Sequence, residues 1–206
     1  MEAKFVPPAD PLAKPPCLAQ PLSNAMITAR CLLVALCMAL RVIPHAPNFA
    51  PVGAAAVFSG RAFGRKSAFL VVAASMLLSD LVLACLHGYA LFDLVTPFVY
   101  AGFGIQTLLG RQLRARKGGA LLAAALGGLG FFALSNLGVW LASGMYPLSW
   151  VGFTTCYVAA LPFLVGTLAG DLLWTAALCL AYRPLAVAWH RLGFWVLEPV
   201  SEPAAL

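Results

Sequence analysis

Arg41-Val42-Ile43-Pro44-His45-Ala46-Pro47-Asn48-Phe49-Ala50-Pro51 separates the first two apolar segments of the chain. Three prolines, a histidine, an asparagine and a cation stand together here, where two apolar helices should meet. Prolines in such a place shape a connection and start the next helix. The polar side chains between them read as the lip of a small-molecule site. Taking the stretch as a connection rather than as part of a helix makes the chain a series of membrane helices joined by short loops.

The composition on either side supports that division. Hydrophobic residues make up 62% of the 206 residues and charged residues 10%, with a mean hydropathy of +0.91. A soluble domain of this size cannot bury so much apolar surface, so an integral membrane protein is expected. Apolar stretches of roughly 20 residues recur, the length a helix needs to cross the hydrocarbon, whereas a barrel would alternate in shorter segments. The expected spans are 25–43, 49–62, 67–86, 90–110, 118–142 and 152–182, giving an all-α bundle of six transmembrane helices. The second is short and begins beyond Pro47 and Pro51; the sixth contains Pro162, which should kink it.

Residues 1–24, with Pro7, Pro8, Pro11, Pro15, Pro16 and Pro21, read as a disordered or extended tail, residues 25–182 as the membrane domain and 183–206 as a second tail. A signal peptide with Cys31 to Leu40 as its apolar core is the rival reading of the first span, and no convincing cleavage site supports it.

Charge placement tests the span count independently. Arg61, Arg65 and Lys66 follow span two, and Arg111, Arg114, Arg116 and Lys117 follow span four, while the tails carry Lys4, Lys14, Arg183 and Arg191. Connections 44–48, 87–89 and 143–151 hold no Lys or Arg. This alternation fits six spans with both termini in the cytoplasm of a bacterial inner membrane. The net charge of +6 is then a matter of topology and anionic membrane lipid, and nucleic acid is not expected as a partner.

Cys17, Cys31, Cys37, Cys85, Cys156 and Cys179 contain no CxxC pair, so they read as small apolar residues rather than as metal ligands. No cofactor is expected. Gly127, Gly128 and Gly130, and the Gly166/Gly170 spacing, allow close helix contact, as do Ala25 with Ala29 and Ala35 with Ala39 on the first span.

Polar residues inside the spans carry the functional reading, because each is costly in hydrocarbon and must face the bundle or a cavity. Asp80 and His87 share a face of span three; Asn136 and Trp140 are i, i+4 neighbours in span five. The expected topology brings Arg41, His45 and Asn48 to the same outer level. Tyr89, Thr96, Tyr100, Tyr146 and Tyr157 add hydrogen-bonding walls. Together they form a candidate ligand site. The plainer reading is that Asp80 pairs with Arg41 and that the tyrosines and Trp140 form an interfacial aromatic belt. Asp171, with Thr167 and Trp174 on its face, lies deeper and reads first as a packing hydrogen bond. Arg30 can snorkel to headgroups.

Arg41-x-x-Pro-His-x-Pro-Asn-Phe-x-Pro-Val-x-Ala, Leu78-Ser79-Asp80, Ser135 to Trp140 followed by Tyr146-Pro147, and Cys156-Tyr157 through Pro162 to Gly170-Asp171 resemble an uncharacterised bacterial family of membrane transport proteins. That family is similar to the substrate-binding S components of energy-coupling-factor vitamin transporters. The resemblance covers roughly residues 26–182. It implies a six-helix bundle holding a vitamin-like ligand near its outer face under a lid of loops. It also implies a separate transmembrane coupling subunit with cytoplasmic ATPases, contacted through small residues of the first helix; Ala25 and Ala29, or Ala35 and Ala39, are the matching positions.

Catalysis is not expected. GxxxxGK[ST], HExxH and GxSxG are all missing, and Ser143-Gly144 near Tyr146 has only His87 to serve as a base. Uptake of a small organic nutrient is the leading expectation, a membrane scaffold or assembly protein the second and an ion-coupled transporter using Asp80 and Asp171 the third. No inverted repeat supports the last.

Overall fold

The computed structural model describes residues 19–44, 47–88 and 90–191, with side chains from 26 to 182. His45, Tyr89, Cys17, Lys4, Lys14 and the prolines before residue 19 lie outside the described residues, as do the side chains of Ala25, Arg183 and Arg191.

All regular structure among the described residues is helical: α1 (Ala19–Val42), α2 (Val52–Ala62), α3 (Arg65–His87), α4 (Thr96–Gln112), α5 (Gly119–Ala142) and α6 (Trp150–Arg191). Each apolar segment drawn from the sequence gives one helix. α3, α5 and the Trp150–Tyr182 part of α6 are long and apolar enough to cross a membrane. The 23 residues of α3 extend about 34 Å at 1.5 Å per residue.

The surface is what lipid demands. α3 turns Leu70, Leu77, Leu81 and Leu86 outward and buries Ser75 and Ser79. Their hydroxyls donate to carbonyls of the preceding turn, Ser75 to Val71 O at 2.8 Å and Ser79 to Ser75 O at 2.7 Å, which satisfies them without water. Leucines outside and serines inside mark a membrane-associated protein.

α2 is the centre of the bundle. Eight of its eleven residues are buried, and it packs on every other helix. It runs against α4 through a reciprocal pair of glycines. A Cβ on Gly60 would collide with the Thr107 carbonyl oxygen, and one on Gly110 with that of Val57. Leu33 and Cys37 of α1, Ala68 and Val71 of α3 and Val52 and Ala55 of α2 form the apolar core beside this seam.

Helix boundaries differ from the expected spans where local chemistry outweighs hydropathy. α1 starts at Ala19, ahead of residue 25, because Pro21 falls in its first turn, where no backbone donor is needed. α4 starts at Thr96, not at residue 90. Asp93 Oδ1 accepts from the Val95 and Thr96 amides at 3.0 and 2.8 Å and from Thr96 Oγ1 at 2.8 Å, while the Asp93 amide donates to Thr96 Oγ1 at 3.0 Å. This reciprocal cap fixes the start. The Thr96 hydroxyl and these amides hold the exposed Asp93 carboxyl below the ordinary carboxylate range. α6 runs unbroken past residue 182 to Arg191.

At the end of the bundle where α2 meets α3, Arg61 donates to the carbonyls of Leu113 at 3.0 Å and Arg114 at 3.2 Å. The α2–α3 and α4–α5 connections, both rich in Arg and Lys, therefore lie together.

Candidate functional site: a cavity among six helices

The stretch that separates α1 from α2 is laid across α6. Pro47 O lies against Gly166 and Phe49 Cα against Gly170, where a Cβ would come within 3.2 Å of it. Trp174 Nε1 donates to Phe49 O at 3.1 Å, and the two rings sit 6.4 Å apart. Asn48 takes φ 58°, a left-handed conformation that asparagine tolerates. The small residues of α6 thus seat a loop here rather than another helix. Pro51, fully buried, opens α2.

Beside this loop, Arg41 Nη1 donates to Asp80 Oδ1 at 2.5 Å and to Ser79 Oγ at 2.6 Å, and Tyr100 OH donates to Asp80 Oδ2 at 3.1 Å. The network ties α1, α3 and α4 together. Its charged side chains are 23% and 17% exposed, so the pair is half-buried and neutral.

A second polar group lies deeper. Gln106 Nε2 donates to Asp171 Oδ2 at 2.6 Å, with Gln106 only 1% and Asp171 4% exposed. Three glycines from two helices make the room. A Cβ on Gly53 of α2 would strike Asp171 Oδ1 and reach 2.8 Å from Gln106 Nε2; one on Gly127 would reach 2.7 Å from Gln106 Cγ, and one on Gly128 3.1 Å from Asp171 Oδ2. Gln106 Oε1 is buried and has no hydrogen-bond partner among the described residues.

Between the two groups lies a cavity of about 390 Å³ to which all six helices contribute. Arg41, Asn48, Ser135 and Asn136 supply polar lining, Phe103, Phe131, Phe132 and Phe163 aromatic lining, and Gln106, Thr167 and Asp171 the deep polar surface. Its size and its mix of apolar wall with a few converging polar groups are those of small-ligand sites.

Of the side chains proposed from sequence, Arg41, Asn48 and Asn136 line this cavity, and Asp80 and Tyr100 stand behind Arg41. Asn136 Nδ2 donates to Phe132 O at 2.8 Å, which leaves its carbonyl oxygen for other contacts. Trp140, Tyr146, Tyr157 and His87 are not among the lining residues. Trp140 Nε1 donates to Pro147 O at 3.1 Å and Tyr157 OH to Ala133 O at 2.6 Å, and both rings pack on Phe153. His87 is exposed in the last turn of α3, and Tyr146 lies in the α5–α6 connection. On α1, Ala35 and Ala39 are exposed and Ala29 is half-buried.

Gln106 does not stand out in the sequence, Ser135 enters there only within the motif that ends at Trp140, and Asp171 with Thr167 reads first as packing. The signal for Gln106 was present, since a lone amide inside Gly104-Ile105-Gln106-Thr107-Leu108 must find a polar partner in the bundle. Among the described residues no three His, Cys, Asp or Glu side chains group to hold a metal ion, and no disulfide forms.

Residues 22–192 match the model of DUF6580, a family of unknown function, over most of the chain and all of the cavity lining. The chain belongs to DUF6580. No curated protein and no solved structure matches it. The DUF6580 region thus takes in both polar groups and the loop seated on α6.

Proposed function

We propose that this DUF6580 protein is a membrane-embedded substrate-binding subunit for uptake of a small organic nutrient, held in the cavity between Arg41 and Asp171. The cavity itself carries the proposal: about 390 Å³ of space with aromatic walls and polar ends, inside a bundle whose exterior is leucine and valine. A helical bundle serving only as a scaffold would fill such a space with side chains, since interiors pack closely. In this reading the six-helix bundle lies in a bacterial inner membrane with both termini in the cytoplasm, and the loop at residues 43–51 lies outside. The clustering of Arg61 with the α4–α5 connection supports that arrangement. Energy would come from a transmembrane coupling subunit with ATPases, for which the exposed Ala35 and Ala39 of α1 offer a close-packing face.

The test is native mass spectrometry of protein extracted gently from its own membrane. A recurrent small organic molecule, released by replacing Asn136 or Gln106, is the expected result. Lipid alone in repeated preparations would sink the proposal. The scaffold reading draws on a specific observation too: Arg41, Asp80, Ser79 and Tyr100 satisfy one another without a ligand. It requires that Asp80→Asn lower thermal stability without altering any uptake.

A further inference from the structure

The carboxyl groups at the two ends of the cavity are partnered differently. Arg41 and Asp80 neutralise each other in one ion pair. Asp171 has Gln106 Nε2 as its partner and, among the described residues, no cation, so its carboxyl stands in the cavity wall without a counter-charge. Beside it Gln106 Oε1 is a buried acceptor without a donor. A buried carboxyl without a counter-charge is costly to ionise and a buried carbonyl without a donor is unfavourable, and here both belong to one hydrogen-bonded pair on the cavity wall. The glycines on α2 and α5 let both helices close directly on this pair. The deep end therefore presents a carboxyl and an acceptor without a donor side by side, a pair that one protonated nitrogen would satisfy.

Resting on the binding reading above, we propose that the ligand is a small organic monocation whose protonated basic nitrogen seats against Asp171 and the Gln106 carbonyl. Its apolar or aromatic body lies along Phe103, Phe131 and Phe132, whose ring faces favour a cation and a planar group alike. A carboxylate ligand is disfavoured. Near Arg41 it would meet a cation already paired with Asp80, and deeper in it would face Asp171.

The test uses the full chain in detergent and three probes of one shape: benzylammonium, benzyl alcohol and benzoate. Unfolding is followed by reaction of the buried Cys37 and Cys156 thiols with a fluorogenic maleimide. Benzylammonium is expected to raise the unfolding temperature while the other two do not. Asp171→Asn is expected to weaken benzylammonium binding by roughly ten- to a hundredfold, the loss of one charge-assisted contact. Should that variant fail to fold, Gln106→Leu removes the orphan carbonyl and is expected to weaken the same probe, and the wild-type charge series stands by itself. Equal stabilisation by benzoate or benzyl alcohol, or an undiminished benzylammonium response in Asp171→Asn, overturns the monocation inference and leaves the binding reading in place. No response to any probe overturns the inference; if mass spectrometry then finds only lipid, the binding reading falls with it.

Discussion

Gly53→Ala is the sharpest probe of how the deep end of the cavity is built. The added methyl would strike Asp171 Oδ1 and come within 2.8 Å of Gln106 Nε2. Neither group has room to retreat, because Gly127 lies against Gln106 and Gly128 against Asp171 on the far side. Overpacking of this kind costs about 1–3 kcal/mol. Displacing Gln106 from Asp171 breaks a buried 2.6 Å hydrogen bond and adds about 1–3 kcal/mol more. Against this, alanine is the better helix former by about 1 kcal/mol. The net is a destabilisation of about 1–5 kcal/mol. At about 2–4 °C per kcal/mol for a chain of this size, the midpoint should fall by several degrees. Thermal exposure of Cys37 and Cys156, 0% and 2% exposed when folded, gives the readout above a baseline from Cys31 and Cys85. Gly64→Ala, with nothing within 4 Å of its Cβ, is the matched control. A midpoint for Gly53→Ala that is unchanged or raised would show that propensity alone operates there and that the Asp171–Gln106 pair is not wedged against α2.

Other substitutions test the rest of the framework. Asp80→Asn leaves Arg41 half-buried without its counter-charge and should lower stability by about 1–3 kcal/mol, less than a fully buried pair would lose; a double-mutant cycle with Arg41→Gln measures the coupling, and additivity would refute the link. Arg61→Gln removes the donors to the Leu113 and Arg114 carbonyls and should raise protease cleavage in the α4–α5 connection; an unchanged digestion pattern would count against that brace. Asp93→Ala removes the α4 cap and should cost about 1 kcal/mol. Because the folded Asp93 carboxyl titrates below the ordinary carboxylate range, its contribution is present at neutral pH and is lost as pH falls through its folded value. The gap in midpoint between wild type and Asp93→Ala should therefore close below about pH 4. A gap that persists into stronger acid would refute the cap as the cause.

Much of the architecture was readable in the chain because hydropathy and proline are local signals. Six apolar segments gave six helices, and the short second one was visible from Pro51 and from Arg61. The start of α4 was not, since the apolar Leu91 and Phe92 precede it and only the Asp93–Thr96 cap sets the boundary. The candidate site was half readable. Arg41 and Asn48 stand out as polar groups beside the first apolar runs, and Asn136 as one inside the fifth. Gln106 and Asp171 lie 65 residues apart, and nothing in either local sequence says that they meet. Nor does spacing tell whether Gly166 and Gly170 receive a helix or a loop, because both need the same missing side chains.

The shortness and burial of α2 bear on how the protein is made. Eleven residues extend about 16 Å, roughly half of the hydrocarbon thickness, and α2 is too short to hold itself across a bilayer. The neighbours that enclose it on α4, α5 and α6 are all synthesised later. A nascent chain stopped after α3 thus has only α1 and α3 to pack against α2, and most of the surface that buries it in the folded protein is not yet made. The centre of the bundle is therefore completed by helices that follow it in the chain.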